Sequence, residues 1–255
     1  MVDFAFVFDQ DGTLVRNRAF KYAYEKLPKV LGLDEERDVF PKIFLDTYYE
    51  LVRARRFTDA FDWEKVSEFS CRRIGITYRR GLFLELILEG INKCLVDTNE
   101  CAADVLRTIK KSGGAIYVLT NGYYRYQFPV LRKVGIAGLI DELITNDRME
   151  EPKPSRKAFE KIFSISGLPA DKIYFVGDHP YFDVYGALNA GIKNLYWITD
   201  MFNRGVYLVK DLAPHITSYV WNKYRIRLDM TRFYDTNIYV INKLCELLAH
   251  VEKLQ

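Results

Sequence analysis

An unbroken apolar run, Phe4-Ala5-Phe6-Val7-Phe8, stands near the start of the chain and predicts a strand covered on both faces, as in a parallel sheet. From 15 to about 93 the spacing of apolar residues changes to three and four. Ala19, Tyr22, Ala23, Leu27, Val30 and Leu31 make one such stripe, and Phe40, Ile43, Phe44, Tyr48, Leu51 and Val52 another. Both predict helices. From 97 onward the two patterns alternate: helix over 101–111, strand 115–119, helix 126–134, a weaker strand 143–145, helix 155–166, strand 173–176, helix 184–190 and strand 194–198. Alternation of this kind predicts an α/β fold with a doubly wound, mainly parallel, Rossmann-like sheet. The all-helical stretch is too long to be a loop, so 15–94 is expected as an inserted helical domain, with 1–14 and 95–255 forming the α/β core.

Near the C-terminal end the pattern changes again. Tyr224, Ile226, Leu228 and Met230 alternate with Arg225, Arg227, Asp229 and Thr231, which predicts a half-buried strand. Ile238, Ile241, Leu244, Cys245, Leu248 and Val251 predict a final amphipathic helix, with Asp235 or Thr236 as its N-cap. The segment 201–234 interleaves Tyr219, Trp221, Phe233 and Tyr234 with Lys223, Arg225, Arg227 and Arg232. Such interleaving can stack on single-stranded nucleic acid. The period-two pattern favours an added strand or a dimer contact instead, leaving a monomer or a homodimer as the expected state.

Composition narrows the function classes. With 49% hydrophobic and 28% charged residues the chain can bury a full core. Its 37 basic and 34 acidic side chains leave a formal charge of +3, too slight to mark a nucleic-acid or membrane surface. No apolar run approaches the length of a membrane span, and no leader pattern opens the sequence, so a cytoplasmic protein with no nucleic-acid or membrane partner is expected. Cys71, Cys94, Cys101 and Cys245 show no paired spacing, and buried free thiols of a reducing compartment are expected.

In a doubly wound sheet ligands bind beyond the carboxyl ends of the strands. Four strand ends carry chemistry here. The first strand runs into Asp9-Gln10-Asp11-Gly12-Thr13-Leu14, the second into Thr120-Asn121-Gly122, the third towards Glu151-Pro152-Lys153-Pro154, and the fourth into Gly177-Asp178-His179-Pro180-Tyr181-Phe182-Asp183. Carboxylates, a hydroxyl, turn N–H groups and a lysine thus converge on one edge of the sheet.

These four motifs, DQDGTL, LTNG, the lysine of EPKPSRKAF, and GDHPYFD, occur in the order of the haloacid dehalogenase superfamily, which the chain resembles over nearly its whole length. Gln127, Gly135-Ile136, Gly186-Ala187 and Ala190-Gly191 agree with that resemblance, and the helical insert stands where the family has its C1-type cap. The resemblance implies a Mg²⁺-dependent phosphatase of a small phosphorylated metabolite. Asp9 would be the nucleophile that forms an aspartyl-phosphate, and Asp11 the general acid and base. Mg²⁺ would be held by Asp9, Asp178 and the backbone carbonyl of Asp11. Thr120, Asn121 and Lys153 would hold the phosphoryl oxygens, and Asp183 would support the site. His179 has no role in the family and stays outside the catalytic set. Asp11 argues against dehalogenation, since a halide leaves without a proton. A phosphomutase of the same fold, or a ligand-binding protein that kept the fold without catalysis, are the alternatives. Phe182 stands where many relatives have Asn. In the insert, Arg53, Arg55, Arg56, Arg72, Arg73, Arg79 and Arg80 are expected mostly as a solvated face, the functional alternative being recognition of a second anionic group on the substrate.

Overall fold

The computed structural model describes residues 2–33 and 39–254; positions 34–38, within the expected helical stretch, lie outside the described residues. In chain order the strands are β1 (Ala5–Phe8), β2 (Val15–Asn17), β3 (Val96–Thr98), β4 (Ala115–Leu119), β5 (Glu142–Ile144), β6 (Ile173–Gly177), β7 (Asn194–Ile198), β8 (Gly205–Leu208) and β9 (Asn237–Ile241). Between β2 and β3 lie helices α1 (Ala19–Val30), α2 (Phe40–Arg53), α3 (Phe57–Ala60), α4 (Trp63–Arg73) and α5 (Leu82–Asn92). After β3 come α6 (Ala102–Lys111), α7 (Tyr124–Lys133), α8 (Arg156–Ser166), α9 (Gly186–Ala190), α10 (Val209–Tyr224) and α11 (Leu248–Val251).

One sheet runs in the order β5-β4-β1-β6-β7-β9-β8, with β8 antiparallel to β9 and the other neighbours parallel. Successive residues of a strand face opposite sides. Phe6, Phe8, Ile116, Val118 and Val176 therefore join one core, shared with α6, α7 and the inserted helices, while Ala5, Val7, Leu119 and Phe175 join a second core under α8 and α9. Burial on both faces explains why β1, β4 and β6 read as continuous apolar runs. Among the described residues no helix is long and apolar enough to cross a membrane.

Several expectations are corrected. The stretch 15–94 is not helical throughout: β2 pairs antiparallel with β3, so the chain enters and leaves the helices along a two-stranded ribbon. Three residues per strand are too few to show a period. The strand expected at 224–231 is also absent. Tyr224 ends α10, and Ile226 and Met230 are buried on a segment that pairs with no strand. The final helix expected from Ile238 is instead β9, followed by a 3-10 turn (Leu244–Leu247) and the short α11. Ile238, Val240 and Ile241 are β-branched and favour the strand over the helix that their spacing allowed.

The expectation of buried free thiols holds for Cys71 alone of the four. Cys101, just before α6, and Cys245, in the turn after β9, form a disulfide across 144 residues with their Cα atoms 5.2 Å apart. A pairing so distant leaves no local spacing to read. Cys71 is free and buried, whereas Cys94 is free but exposed. The disulfide also removes the reducing-compartment argument for a cytoplasmic location.

Candidate active site

The site forms where four parallel strands end. Asp9 continues the line of β1, its N–H still donating to the Val176 carbonyl at 2.9 Å. The chain then turns at Gly12, whose φ of 92° belongs to glycine and where a Cβ would run into the Asp178 carboxylate. Thr120 follows β4 and Asp178 follows β6, while Lys153 lies on the loop between β5 and α8. At Gly177 a Cβ would meet Asp183 at 2.5 Å, so a glycine is needed for the wide helical turn Pro180–Tyr185 to fold back on the strand end.

Lys153 is the hub of the charged groups. Only 1% exposed, its Nζ lies 2.6 Å from Asp9 Oδ1 and 2.6 Å from Asp183 Oδ1. Burial works against the lysine charge, but Asp183 and Asp9 outweigh it and hold the pKa above its ordinary value. Asp183 is fully engaged, since its Oδ2 accepts from the His179 N–H at 2.9 Å. It therefore holds Lys153 and the loop together. The Asn121 amide clamps the lysine backbone from the other side, with Oδ1 accepting from Lys153 N at 2.8 Å and Nδ2 donating to Lys153 O at 2.9 Å.

A second network is built on two amides, Gln127 and Gln10, of which the sequence marks Gln127 and gives Gln10 no role. Gln127 Nε2 donates to Asp11 Oδ2 at 2.6 Å and to Thr120 Oγ1 at 2.9 Å, and Gln10 Nε2 donates to Gln127 Oε1 at 2.9 Å. Gln10 thus fixes which way the Gln127 amide faces. Thr120 Oγ1 also accepts from the Gly122 N–H at 3.2 Å, so its own hydrogen is left to donate to a ligand. Asp11 Oδ1 is buried without a partner. Such an atom is costly unless something else meets it there. Burial raises the Asp11 carboxyl above its ordinary pKa, with the Gln127 hydrogen bond and, after it, the nearby Asn17 side chain opposing.

Asp9, Asp178 and Asp183 each bring a carboxylate oxygen within 4.8 Å of the others. Burial, then the neighbouring Asp183, pushes Asp178 up to about 7, and burial raises Asp9 well above its usual value. With Asp183 committed to Lys153 and His179, Asp9 and Asp178 are the carboxylates free to meet a cation; a hard divalent ion would favour their charged forms against burial, and such oxygen donors fit Mg²⁺.

His179 sits beside Asp178 but does structural work. Its Nδ1 accepts from the N–H groups of Tyr181 at 3.1 Å and Phe182 at 3.2 Å, and its Nε2 meets the Tyr224 hydroxyl at 2.9 Å. Burial, with Lys223 and Lys153 nearby, holds the ring well below its ordinary pKa and therefore neutral. None of Arg53, Arg55, Arg56, Arg72, Arg73, Arg79 and Arg80 lines the cavity at this site, whereas Arg16, at the start of the insert, does. Arg56, Arg72, Arg73 and Arg79 instead pair with Asp59, Glu68, Glu50 and Glu85.

This geometry agrees with comparison to known proteins. The sequence model of the haloacid dehalogenase-like hydrolases matches residues 5–191. The chain belongs to that family. Among curated relatives, the phosphoglycolate phosphatase of Pseudomonas fluorescens (strain Pf0-1) is 33% identical over 90 residues, which is 35% of this chain and 33% of that protein. The glyceraldehyde 3-phosphate phosphatase of Pyrococcus abyssi is 28% identical over 96 residues, 38% of this chain and 40% of that one. This haloacid dehalogenase-like hydrolase thus matches about a third to two-fifths of the length of these curated relatives. Similarity of fold extends further. The HAD phosphatase of Thermococcus onnurineus superposes with a TM-score of 0.64 at 24% identity, covering 97% of each chain.

Proposed function

We propose that this hydrolase is a Mg²⁺-dependent phosphatase that cleaves a small phosphate monoester through an aspartyl-phosphate on Asp9. The observation that carries it is the pairing of two differently placed acids. Asp9 is held at the bottom of the site by Lys153, while Asp11 keeps one oxygen on Gln127 and a second, buried oxygen without a partner. The phosphatase names of the aligned relatives support the same class of reaction.

The chain's own groups account for each transfer. A carboxylate oxygen of Asp9 bonds to phosphorus as the bond to the substrate alcohol breaks, and Asp11 Oδ1 gives its proton to the departing oxygen. Water then attacks the phosphoryl group, Asp11 takes the water's proton, and Asp9 is released with inorganic phosphate. Throughout, the Thr120 hydroxyl, the Asn121 N–H and the remaining hydrogen on Lys153 Nζ stabilise charge on the phosphoryl oxygens. Asp9, Asp178 and the Asp11 carbonyl would hold Mg²⁺, which when bound offsets the repulsion between a carboxylate and a phosphate dianion.

Phosphate release from p-nitrophenyl phosphate and a panel of esters tests this. Turnover is expected with Mg²⁺, to stop with EDTA, and to fall by on the order of a thousandfold or more in Asp9→Asn. Undiminished turnover in Asp9→Asn, or none by folded, Mg²⁺-loaded wild type, overturns the proposal.

A further inference from the structure

Part of the wall of the same cavity is built of rings. The cavity holds about 460 Å³, enough for a molecule well beyond three carbons. Polar groups crowd its phosphoryl end, around Asp9, Thr120 and Lys153. Phe20, Phe61, Trp63 and Phe182 line the cavity too. Phe20 lies 4.5 Å from Trp63 between ring centroids, Trp63 6.2 Å from Phe61, and Phe61 5.2 Å from Phe182. Three of these rings are only partly buried, so their faces are available to a ligand.

The polar residues interleaved with this wall are occupied. Asp62, between Phe61 and Trp63, is buried and pairs with Arg125, so neither charge turns to the cavity. Glu64 spends its carboxylate on the N–H groups of Gly81 at 2.5 Å and Leu84 at 2.8 Å. Among the described lining residues the cations are Lys153, at the phosphoryl end, and Arg16, an exposed residue at the rim whose Nε donates to Asn99 Oδ1 at 2.9 Å. A carboxylate tail on the substrate would lose water against the rings with no buried cation to meet it. A flat apolar group would gain by burial and stacking.

We infer that the substrate is a phosphate monoester of an uncharged alcohol bearing a flat ring system, a nucleoside or an aryl alcohol, and not of a short hydroxy acid. The inference rests on the phosphatase reading of the site and adds the leaving group. It also gives Phe182 a role: 5.2 Å from Phe61, it extends the ring surface to the loop that carries Asp183.

Two measurements test it separately from catalysis. In the first, wild type, Trp63→Ala and Arg16→Gln are compared by kcat/KM on 1-naphthyl phosphate, a nucleoside 5′-monophosphate, glyceraldehyde 3-phosphate and phosphoglycolate. The ring esters are expected to exceed phosphoglycolate by about tenfold or more. Trp63→Ala should lower them about tenfold relative to glyceraldehyde 3-phosphate, and Arg16→Gln should leave the order unchanged. Whichever ring ester leads tells the nucleoside from the aryl source. A lead for phosphoglycolate that collapses in Arg16→Gln overturns the inference while leaving the phosphatase reading intact. In the second, uncleavable ligands are titrated calorimetrically with Mg²⁺. A naphthylmethylphosphonate should bind at least about tenfold more tightly than phosphonoacetate, and lose that advantage in Trp63→Ala. This arm reads the cavity's ring preference even if no ester turns over, an outcome that would sink the phosphatase reading and leave only that preference; equal or reversed affinities would overturn the inference.

Discussion

At the scale of single residues, the site depends on groups that carry no charge. Gln127 gives one amide hydrogen to Asp11 and the other to Thr120, so a single side chain orients both the proposed proton donor and the proposed phosphoryl-binding hydroxyl. It acts through those residues, as a positioning group. Gln127→Leu is therefore expected to lower kcat by about tenfold to a hundredfold, the scale of a misplaced rather than a missing catalytic group. The loss should be larger for an alkyl phosphate, whose alkoxide needs a proton, than for p-nitrophenyl phosphate, whose leaving group does not. An equal loss on both esters would mean that Gln127 acts through Thr120 or the fold and not through proton donation by Asp11. The sequence displayed Asp9, Asp11, Thr120, Lys153 and Asp178 because each follows an apolar run. It could not display where Asn121 points: its side chain turns back onto the Lys153 backbone, a contact across 32 positions.

At the scale of elements, legibility followed the number of buried faces. The strands expected at 115–119 and 194–198 coincide with β4 and β7, because strands covered on both sides must be apolar throughout. The edge strand β8 is half-exposed and four residues long, which leaves almost no pattern. Helix α10 buries Val209, Leu212, Ala213, Ile216, Val220 and Tyr224 at helical spacing, yet contains Pro214 and several β-branched residues that weigh against a helix locally. Tertiary contacts override that preference. The alternation of Tyr224, Ile226 and Met230 was a true burial pattern attached to the wrong element. The Cys101–Cys245 bond ties the start of α6 to the turn after β9. Closing so long a loop can stabilise by up to roughly 5 kcal/mol on the chain-entropy account. Dithiothreitol should accordingly lower the Tm of wild type but not that of Cys245→Ser, which should already melt lower; a Tm indifferent to reductant would contradict the bond.

At the scale of the whole molecule, the C-terminal segment joins the two halves of the site. Tyr224, 1% exposed at the end of α10, reaches His179 on the core loop with its hydroxyl and packs its ring 5.9 Å from Tyr49 of α2 and 5.7 Å from Phe182. One side chain thus contacts an inserted helix, the loop carrying Asp183, and the ring wall of the cavity. Tyr224→Ala should cost about 3–5 kcal/mol of stability, as for other large buried aromatic truncations. It should also raise amide exchange in α2 and in 180–185 together. Faster exchange in only one of them would mean that the halves are held by other contacts. Fold-level similarity over nearly the full chain, together with membership of the hydrolase family, fixes the scaffold; the reaction on it rests on a few side chains at four strand ends.

The claim on which the rest depends is that Asp9 becomes covalently phosphorylated, and it can be tested directly. Wild type would be mixed with excess ester and Mg²⁺, quenched in acid during turnover, reduced with borohydride and digested. An acyl-phosphate is reduced to an alcohol, whereas a free carboxylate is not, so mass spectrometry of the peptide containing position 9 reports the intermediate. The account requires reduction at Asp9, dependent on substrate and Mg²⁺, with Asp11 and Asp178 unmodified. Steady turnover with Asp9 never reduced, under conditions that trap a known acyl-phosphate, would contradict it and point to direct attack by water.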